Sequence, residues 1–154
     1  VTDIDKEKMT QVVRATGAET VAPDKIYDVP ADIYSPNALG ATVNDDTLKR
    51  LQVEIIAGGA NNQLAEERHG VELEQRGMLY APDYVINGGG VINVYGELMG
   101  WDHDRAKRKA AQIYDTLLSI FATAKSQKIP SYQAADHVAE ARIRGVGTIA
   151  GIRV

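Results

Sequence analysis

The feature that most narrows the fold of this chain is an alternation. Short extended segments at Ala31–Tyr34, Val53–Ala57 and Met78–Tyr80 are each followed by a glycine-, proline- or asparagine-rich break, with helical spacing between them. Two further extended pieces precede them, at Val1–Asp3 and Glu19–Ala22. Strands alternating with helices at this pitch predict a parallel sheet with helices packed on its faces, so the expected class is α/β, a partial Rossmann-like doubly wound parallel sheet followed by C-terminal helices. Val1-Thr2-Asp3 reads as the tail of a strand that already needs neighbours, so the chain is expected to begin in mid-fold. The expected helices run from Ile4 to Gly17, from a cap at Asp45 through Leu51, from Asn62 to Arg76, from Arg105 to Lys125 with Ala106, Ala110, Ile113, Leu117, Ile120 and Phe121 towards one face, and from an N-cap at Ser131 to Arg144. Asp24–Tyr27 has room for one helical turn, and Gly145–Val154 carries no assignable pattern.

Composition bears on partners. The 154 residues are 44% hydrophobic, enough for one sizeable core. A formal charge of −4 and the lack of any long run of Lys and Arg argue against nucleic acid as a partner. Without cysteine there can be no disulfide, thiolate metal site or Cys nucleophile, and His69, His103 and His137 lack metal-ligand spacing, so no metal is expected. No apolar run can span a bilayer and no signal-peptide pattern follows Val1, so no membrane partner and a cytoplasmic location are expected.

In an open parallel sheet ligands bind beyond the carboxyl ends of the strands, which makes the residues after each strand the candidate site. Asp3 stands where a dinucleotide fold places the carboxylate that accepts from the adenosine ribose hydroxyls, and it stands equally where a helix N-cap belongs. A carboxylate there would repel a 2′-phosphate and favour NAD over NADP. Gly58-Gly59-Ala60-Asn61-Asn62 combines small residues, which let a backbone approach a flat ring, with amides that donate and accept; the same composition also makes an ordinary turn and helix cap. Gly88-Gly89-Gly90 precedes a helical turn with Val91 and Val94 on one side, facing either a ligand or the core.

Taken together, Asp3, Pro36-Asn37-Ala38-Leu39-Gly40, Ile56-Ala57-Gly58-Gly59-Ala60-Asn61-Asn62-Gln63-Leu64, Tyr80-Ala81-Pro82-Asp83-Tyr84-Val85-Ile86-Asn87 and Gly89-Gly90-Val91-Ile92-Asn93-Val94 resemble the Glu/Leu/Phe/Val dehydrogenase family, and its leucine type above all. The resemblance runs from Val1 to about Arg144 and implies NAD-dependent, reversible oxidative deamination of leucine, valine and isoleucine to 2-oxo acids and ammonia. By matching positions it implies that Asp3 and Ile4 border the adenosine, that Ala38 and Leu39 pass along the cofactor, and that Ala60, Asn61 and Asn62 meet the nicotinamide end. Asn62, Val91 and Val94 would meet the amino acid, and an uncharged, β-branched wall suits an aliphatic side chain better than a phenylalanine or glutamate one.

The resemblance also implies what this sequence does not contain. In the family a catalytic Lys and Asp lie in an amino-terminal domain and a glycine-rich phosphate loop precedes the position of Asp3, so no catalytic residue is expected here and the segment alone is expected to be inactive. The expected organisation is a partial NAD-binding domain over residues 1–100, lacking its first strand and glycine-rich loop, helices over 101–144 that pack on it or on the missing amino-terminal domain, and an unassigned tail over 145–154. The family also implies a homo-oligomer. Asn37, Gly59 and Gly88 depart from the commoner Cys, Ser or Ala, and Ala of the family, and none of these removes a group the chemistry needs. Two other classes of function stay open at this level: a non-catalytic module that senses NAD, and an assembly domain built on the two carboxyl-terminal helices.

Overall fold

The computed structural model describes residues 1–149. Its first helix, α1 (Lys6–Thr16), is capped by Asp5, whose carboxylate accepts the amides of Glu7 at 3.0 Å and Lys8 at 3.1 Å. Gly17, at φ 72°, ends it in the left-handed conformation that glycine adopts without a Cβ penalty. No residue of α1 is buried, and Ile4 just before it is 94% exposed. A 3-10 turn over Pro23–Asp28 leads into the sheet.

The sheet has three parallel strands in the order β1 (Ile33–Tyr34), β2 (Ile55–Ile56), β3 (Leu79–Tyr80), with Ile33 beside Ile55 beside Leu79 and Tyr34 beside Ile56 beside Tyr80. Among the described residues the strand order runs straight through, without the reversal that defines a doubly wound sheet. β1 and β3 end where the sequence segments end, at Tyr34 and Tyr80, and Pro36 and Pro82 close by have no N–H to continue a ladder whose last bonds are Ala57 N to Tyr34 O at 3.0 Å and Ala81 N to Ile56 O at 2.9 Å; the strands are shorter than expected at their amino ends, starting at Ile33, Ile55 and Leu79. The extended pieces expected at Val1–Asp3 and Glu19–Ala22 are not strands of this sheet. They bond to each other instead, through the amino terminus to Glu19 O and Val21 N to Val1 O.

Between the strands lie α2 (Asp45–Leu48) and α3 (Glu67–Gln75). The cap of α2 is Asn44 rather than Asp45. Asn44 Oδ1 accepts the amides of Asp46 and Thr47 at 3.1 Å, and Thr47 Oγ1 returns a bond by accepting the Asn44 amide at 3.0 Å. α3 starts at Glu67, not Asn62, because residues 60–65 are committed to other partners: Ala60 N bonds Pro36 O, Val43 N bonds Gln63 O, and Ala65 N bonds Val43 O. His69, buried, closes the start of α3 by accepting the Glu66 amide on Nδ1 at 3.0 Å. Val43, Leu48, Leu51, Val53, Ile56, Leu73 and Tyr80 form the core that these elements share.

After β3 come α4 (Asp83–Ile86), α5 (Gly89–Leu98), α6 (His103–Gln127) and α7 (Ser131–Ile149). α5 is a ten-residue helix instead of the single turn the sequence suggests. It leaves Val91, Val94, Tyr95, Leu98 and Met99, spaced as one helical stripe, exposed by 50–80%. Of the α6 face read from the sequence, Ile120 is buried and Phe121 lies at the edge of its cluster, while Ala106, Ala110, Ile113 and Leu117 are half-buried; Ala124, outside that reading, joins Ile120 against Ala134 and Ala135 of α7. Ser131 does not act as a side-chain cap. It is the first residue of α7 and its buried hydroxyl donates to Tyr80 O at 2.6 Å, pinning the helix to the end of β3. α7 continues past Arg144 into the segment that has no legible pattern, and residues 150–154 of that segment lie outside the described residues. No helix of the described residues is long and apolar enough to cross a membrane.

Candidate functional site

Two loops leave the carboxyl ends of β1 and β2 side by side. Gly58 sits so close to the first loop that a Cβ on it would lie 2.1 Å from Pro36 O, a distance no side chain tolerates. The contact is reinforced by Ala60 N to Pro36 O at 2.9 Å and by Gly59 N to Asn37 Oδ1 at 2.8 Å. Asn37 is itself held in place because its Nδ2 donates to Ser35 O and Ser35 Oγ. Further along, a Cβ on Gly40 would fall 2.8 Å from Asn61 O and 2.9 Å from Asn62 O, while Ala41 N bonds Asn62 O at 2.7 Å. Ala41 and Asn62 carry φ of 55° and 53°, the left-handed conformation uncommon outside glycine and tolerated best by asparagine. Residues 36–41 and 58–63 are therefore joined into one surface.

Beneath that surface lies a polar pair that the sequence alone did not single out. Gln63 is fully buried; its Nε2 donates to Gly58 O at 2.6 Å and Ala60 O at 2.9 Å, and its backbone N–H donates to Asp83 Oδ2 at 2.6 Å. Asp83 is 7% exposed, and its own N–H donates to the Tyr80 phenol oxygen at 3.3 Å. Burial, and then the charge of Asp83, push the Tyr80 phenol well above its ordinary pKa, so it stays neutral. One signal in the sequence could have found the pair: an acid directly after the proline that ends a strand must sit where the sheet stops and the ligand side begins.

Asn61 and Asn62 are exposed, and Ala60 is buried behind them. Asn87, at the end of α4, donates from Nδ2 to Asn61 Oδ1, which brings the amide loop against the turn that opens α5. With its oxygen engaged, Asn61 keeps an Nδ2 able to donate, which suits a carboxamide or carboxylate oxygen. Val91 and Val94 stand exposed on α5, by 75% and 59%, rather than in the core. Ala38 and Leu39 lie on the outer side of the joined loops, Leu39 exposed by 76%. Asp3 is exposed and its Oδ1 accepts the Asp5 amide at 2.8 Å, so it precedes the helix cap instead of being it. No hydrogen bond among the described residues joins Asp3 or Ile4 to the amide loop. The structure thus gathers Ala60, Asn61 and Asn62 with Gln63, Asp83 and Asn87, and leaves the Asp3 end apart. Among the described residues no group of three or more His, Cys, Asp or Glu could hold a metal ion.

A parallel α/β sheet whose strand-end loops converge on exposed amides places this chain among α/β proteins whose candidate site lies at the carboxyl ends of the strands. Comparison with known proteins makes that class specific. The Glutamate/Leucine/Phenylalanine/Valine dehydrogenase family profile matches residues 1–152, and the chain belongs to that family. It is 58% identical over 143 residues to a leucine dehydrogenase of Thermoactinomyces intermedius, covering 93% of this chain and 39% of that protein. It is 47% identical over 148 residues to a valine dehydrogenase of Streptomyces coelicolor, covering 93% of this chain and 40% of that one. The crystal structure of L-tryptophan dehydrogenase from Nostoc punctiforme superimposes with a TM-score of 0.90 at 48% identity, over 93% of this chain and 44% of that chain. The chain therefore spans about two fifths of the length of the curated relatives it matches.

Proposed function

We propose that this chain is the cofactor-binding portion of an NAD-dependent branched-chain L-amino acid dehydrogenase that deaminates leucine, valine or isoleucine to the 2-oxo acid and ammonia. The observation that carries the reading is the bond from Asn87 to Asn61, which joins the amide loop after β2 to the turn that leads into the valine-bearing face of α5. One side of that junction offers amides for polar groups, and the other offers an uncharged aliphatic wall. The residues fit the cofactor as well: Asp3 is an exposed carboxylate ahead of a helix, and Gly40, Gly58 and Gly59 keep the joined loops flat. NAD, when bound, supplies the acceptor for the hydride that leaves the substrate α-carbon.

In this reading Asp3 accepts from the adenosine ribose hydroxyls beside Ile4, and Ala38 and Leu39 border the middle of the cofactor. Ala60, Asn61 and Asn62 meet its nicotinamide end, and Asn62, Val91 and Val94 meet the substrate. The proton transfers belong to a Lys and an Asp on the further part of the polypeptide, with which this segment assembles, and the whole is a homo-oligomer. Two valine walls separate aliphatic side chains by only about 1–3 kcal/mol per methylene, so leucine, valine and isoleucine all enter. The similarity to an L-tryptophan dehydrogenase, 49% identical over 144 residues, favours one second reading, a dehydrogenase for a bulkier aromatic amino acid.

The test is an NADH-absorbance assay of the full-length polypeptide with leucine, valine, isoleucine, phenylalanine and tryptophan, with NAD and NADP in parallel. The expected result is turnover of the three aliphatic substrates with NAD. Preference for an aromatic substrate would move the assignment to the second reading, and turnover with NADP alone would remove the ribose role of Asp3.

A further inference from the structure

We propose that Gln63, anchored by Asp83, is the positioning residue of the amide loop: it sets the backbone from which Asn61 and Asn62 meet their ligands. The proposal rests on the dehydrogenase reading above and adds a residue to its working parts. Gln63 is fully buried, yet it is a poor choice for filling a core. Its Oε1 has no partner among the described residues, and a buried orphan acceptor costs free energy that an apolar side chain of the same size would not.

What the amide does achieve is geometric. Its two hydrogens hold Gly58 O and Ala60 O, the carbonyls on either side of Gly59, and so fix the loop from inside at both. Its backbone is fixed in turn by a short bond to the Asp83 carboxylate at 2.6 Å. From the outside the same loop is held by Pro36 O and Asn37 Oδ1. With carbonyls 58 and 60 tied inwards and Asn62 at φ 53°, the exposed side chains of Asn61 and Asn62 have one backbone from which to project. The inner clamp adds stability as any made hydrogen bond does, but it also fixes the backbone geometry that a loop needs when its amides must meet a ring and a substrate within a fraction of an ångström.

The experiment uses the full-length polypeptide and the substitutions Gln63→Met, Asp83→Asn and Asp83→Ala. Five quantities are read: kcat and KM with leucine and NAD, the dissociation constant of ADP-ribose, which lacks the nicotinamide, the melting temperature, and amide hydrogen exchange of residues 57–64. For Gln63→Met the expected result is a fall in kcat/KM of about 30- to 100-fold, seen in kcat as well as KM, as misplacement of reacting groups produces. ADP-ribose should bind within about twofold of the parent, and the loop amides should exchange at least about tenfold faster. Asp83→Asn keeps an acceptor for the Gln63 amide and should retain activity within about threefold, whereas Asp83→Ala should resemble Gln63→Met. The Asp83 pair decides the question if Gln63→Met does not fold. Activity of Gln63→Met within threefold of the parent, with only its melting temperature lowered, would overturn the proposal, as would an equal weakening of ADP-ribose. If the unsubstituted polypeptide deaminates no amino acid, the dehydrogenase reading fails, and loop exchange unchanged by Gln63→Met would then overturn the positioning role on its own.

Discussion

Replacing Gly58 by alanine puts the joined loops to a direct test. The added methyl would stand 2.1 Å from Pro36 O, 2.5 Å from Pro36 N and 2.6 Å from Pro36 Cδ, all of them backbone or ring atoms that cannot swing aside. Relief requires the two loops to part by about 1 Å, which stretches Ala60 N to Pro36 O and Gly59 N to Asn37 Oδ1 beyond bonding distance. Overpacking of this kind costs about 1–3 kcal/mol and each lost bond about 1 kcal/mol, so the expected destabilisation is about 4 kcal/mol. At roughly 2–4 °C per kcal/mol for a domain of this size, scanning calorimetry of the full-length polypeptide should show a melting temperature lower by about 8–16 °C.

The control is Gly89→Ala on α5, where a Cβ meets nothing within 4 Å and the backbone is helical. That change should stabilise by about 0.5–1 kcal/mol, because alanine loses less backbone entropy than glycine in a helix. A Gly58→Ala protein that melts within about 2 °C of the parent would refute the argument that Gly58 welds the loops.

Two further outcomes follow from the geometry. Bidentate hydrogen bonds from Arg68, followed by the bond from His69, hold the Asp45 carboxyl at about 2, below its ordinary 3.8. A depressed carboxylate pKa contributes stability that is complete above pH about 4 and fades as pH falls towards 2, so denaturant midpoints of the parent and of Asp45→Asn should converge over that window; parallel curves would remove the Arg68 contact as a source of acid sensitivity. Ser131→Ala should cost about 1–3 kcal/mol in denaturant unfolding, since it strips the buried Tyr80 carbonyl of the hydroxyl that ties α7 to β3; a loss under about 0.5 kcal/mol would show that helix packing alone seats α7.

What was legible in the sequence was local. Helical spacing and Gly17 located α1, the α6 face was legible apart from Ala124, and the three strands lie within the β-branched and aromatic segments that predict them. The errors arose where distant partners decide. Asp45 was expected to cap α2, but Asn44 does so because Thr47 can answer it. Asn62 was expected to open α3, but loop-to-loop bonds from Pro36, Ala41 and Val43 keep residues 60–65 out of a helix. Gln63 and Asp83 were invisible as a pair because twenty positions separate them and only the adjacency of β2 and β3 brings them together. The motif residues Ala60, Asn61 and Asn62 could be picked out by resemblance, whereas the groups that hold them could not.

The exposed stripe on α5 also bears on how this segment, on its own, behaves in bulk. Val91, Val94, Tyr95, Leu98 and Met99 form an exposed oily stripe on a segment that, taken apart from the rest of its polypeptide, carries a formal charge of only −4 to oppose self-association. Near the isoelectric point of about 5.4 that repulsion vanishes and the band governs colloidal behaviour. Sulfate and phosphate, which strengthen the burial of apolar surface, act in the same direction. A buffer well above the isoelectric point, without strongly salting-out anions, is the one in which this segment stays dispersed.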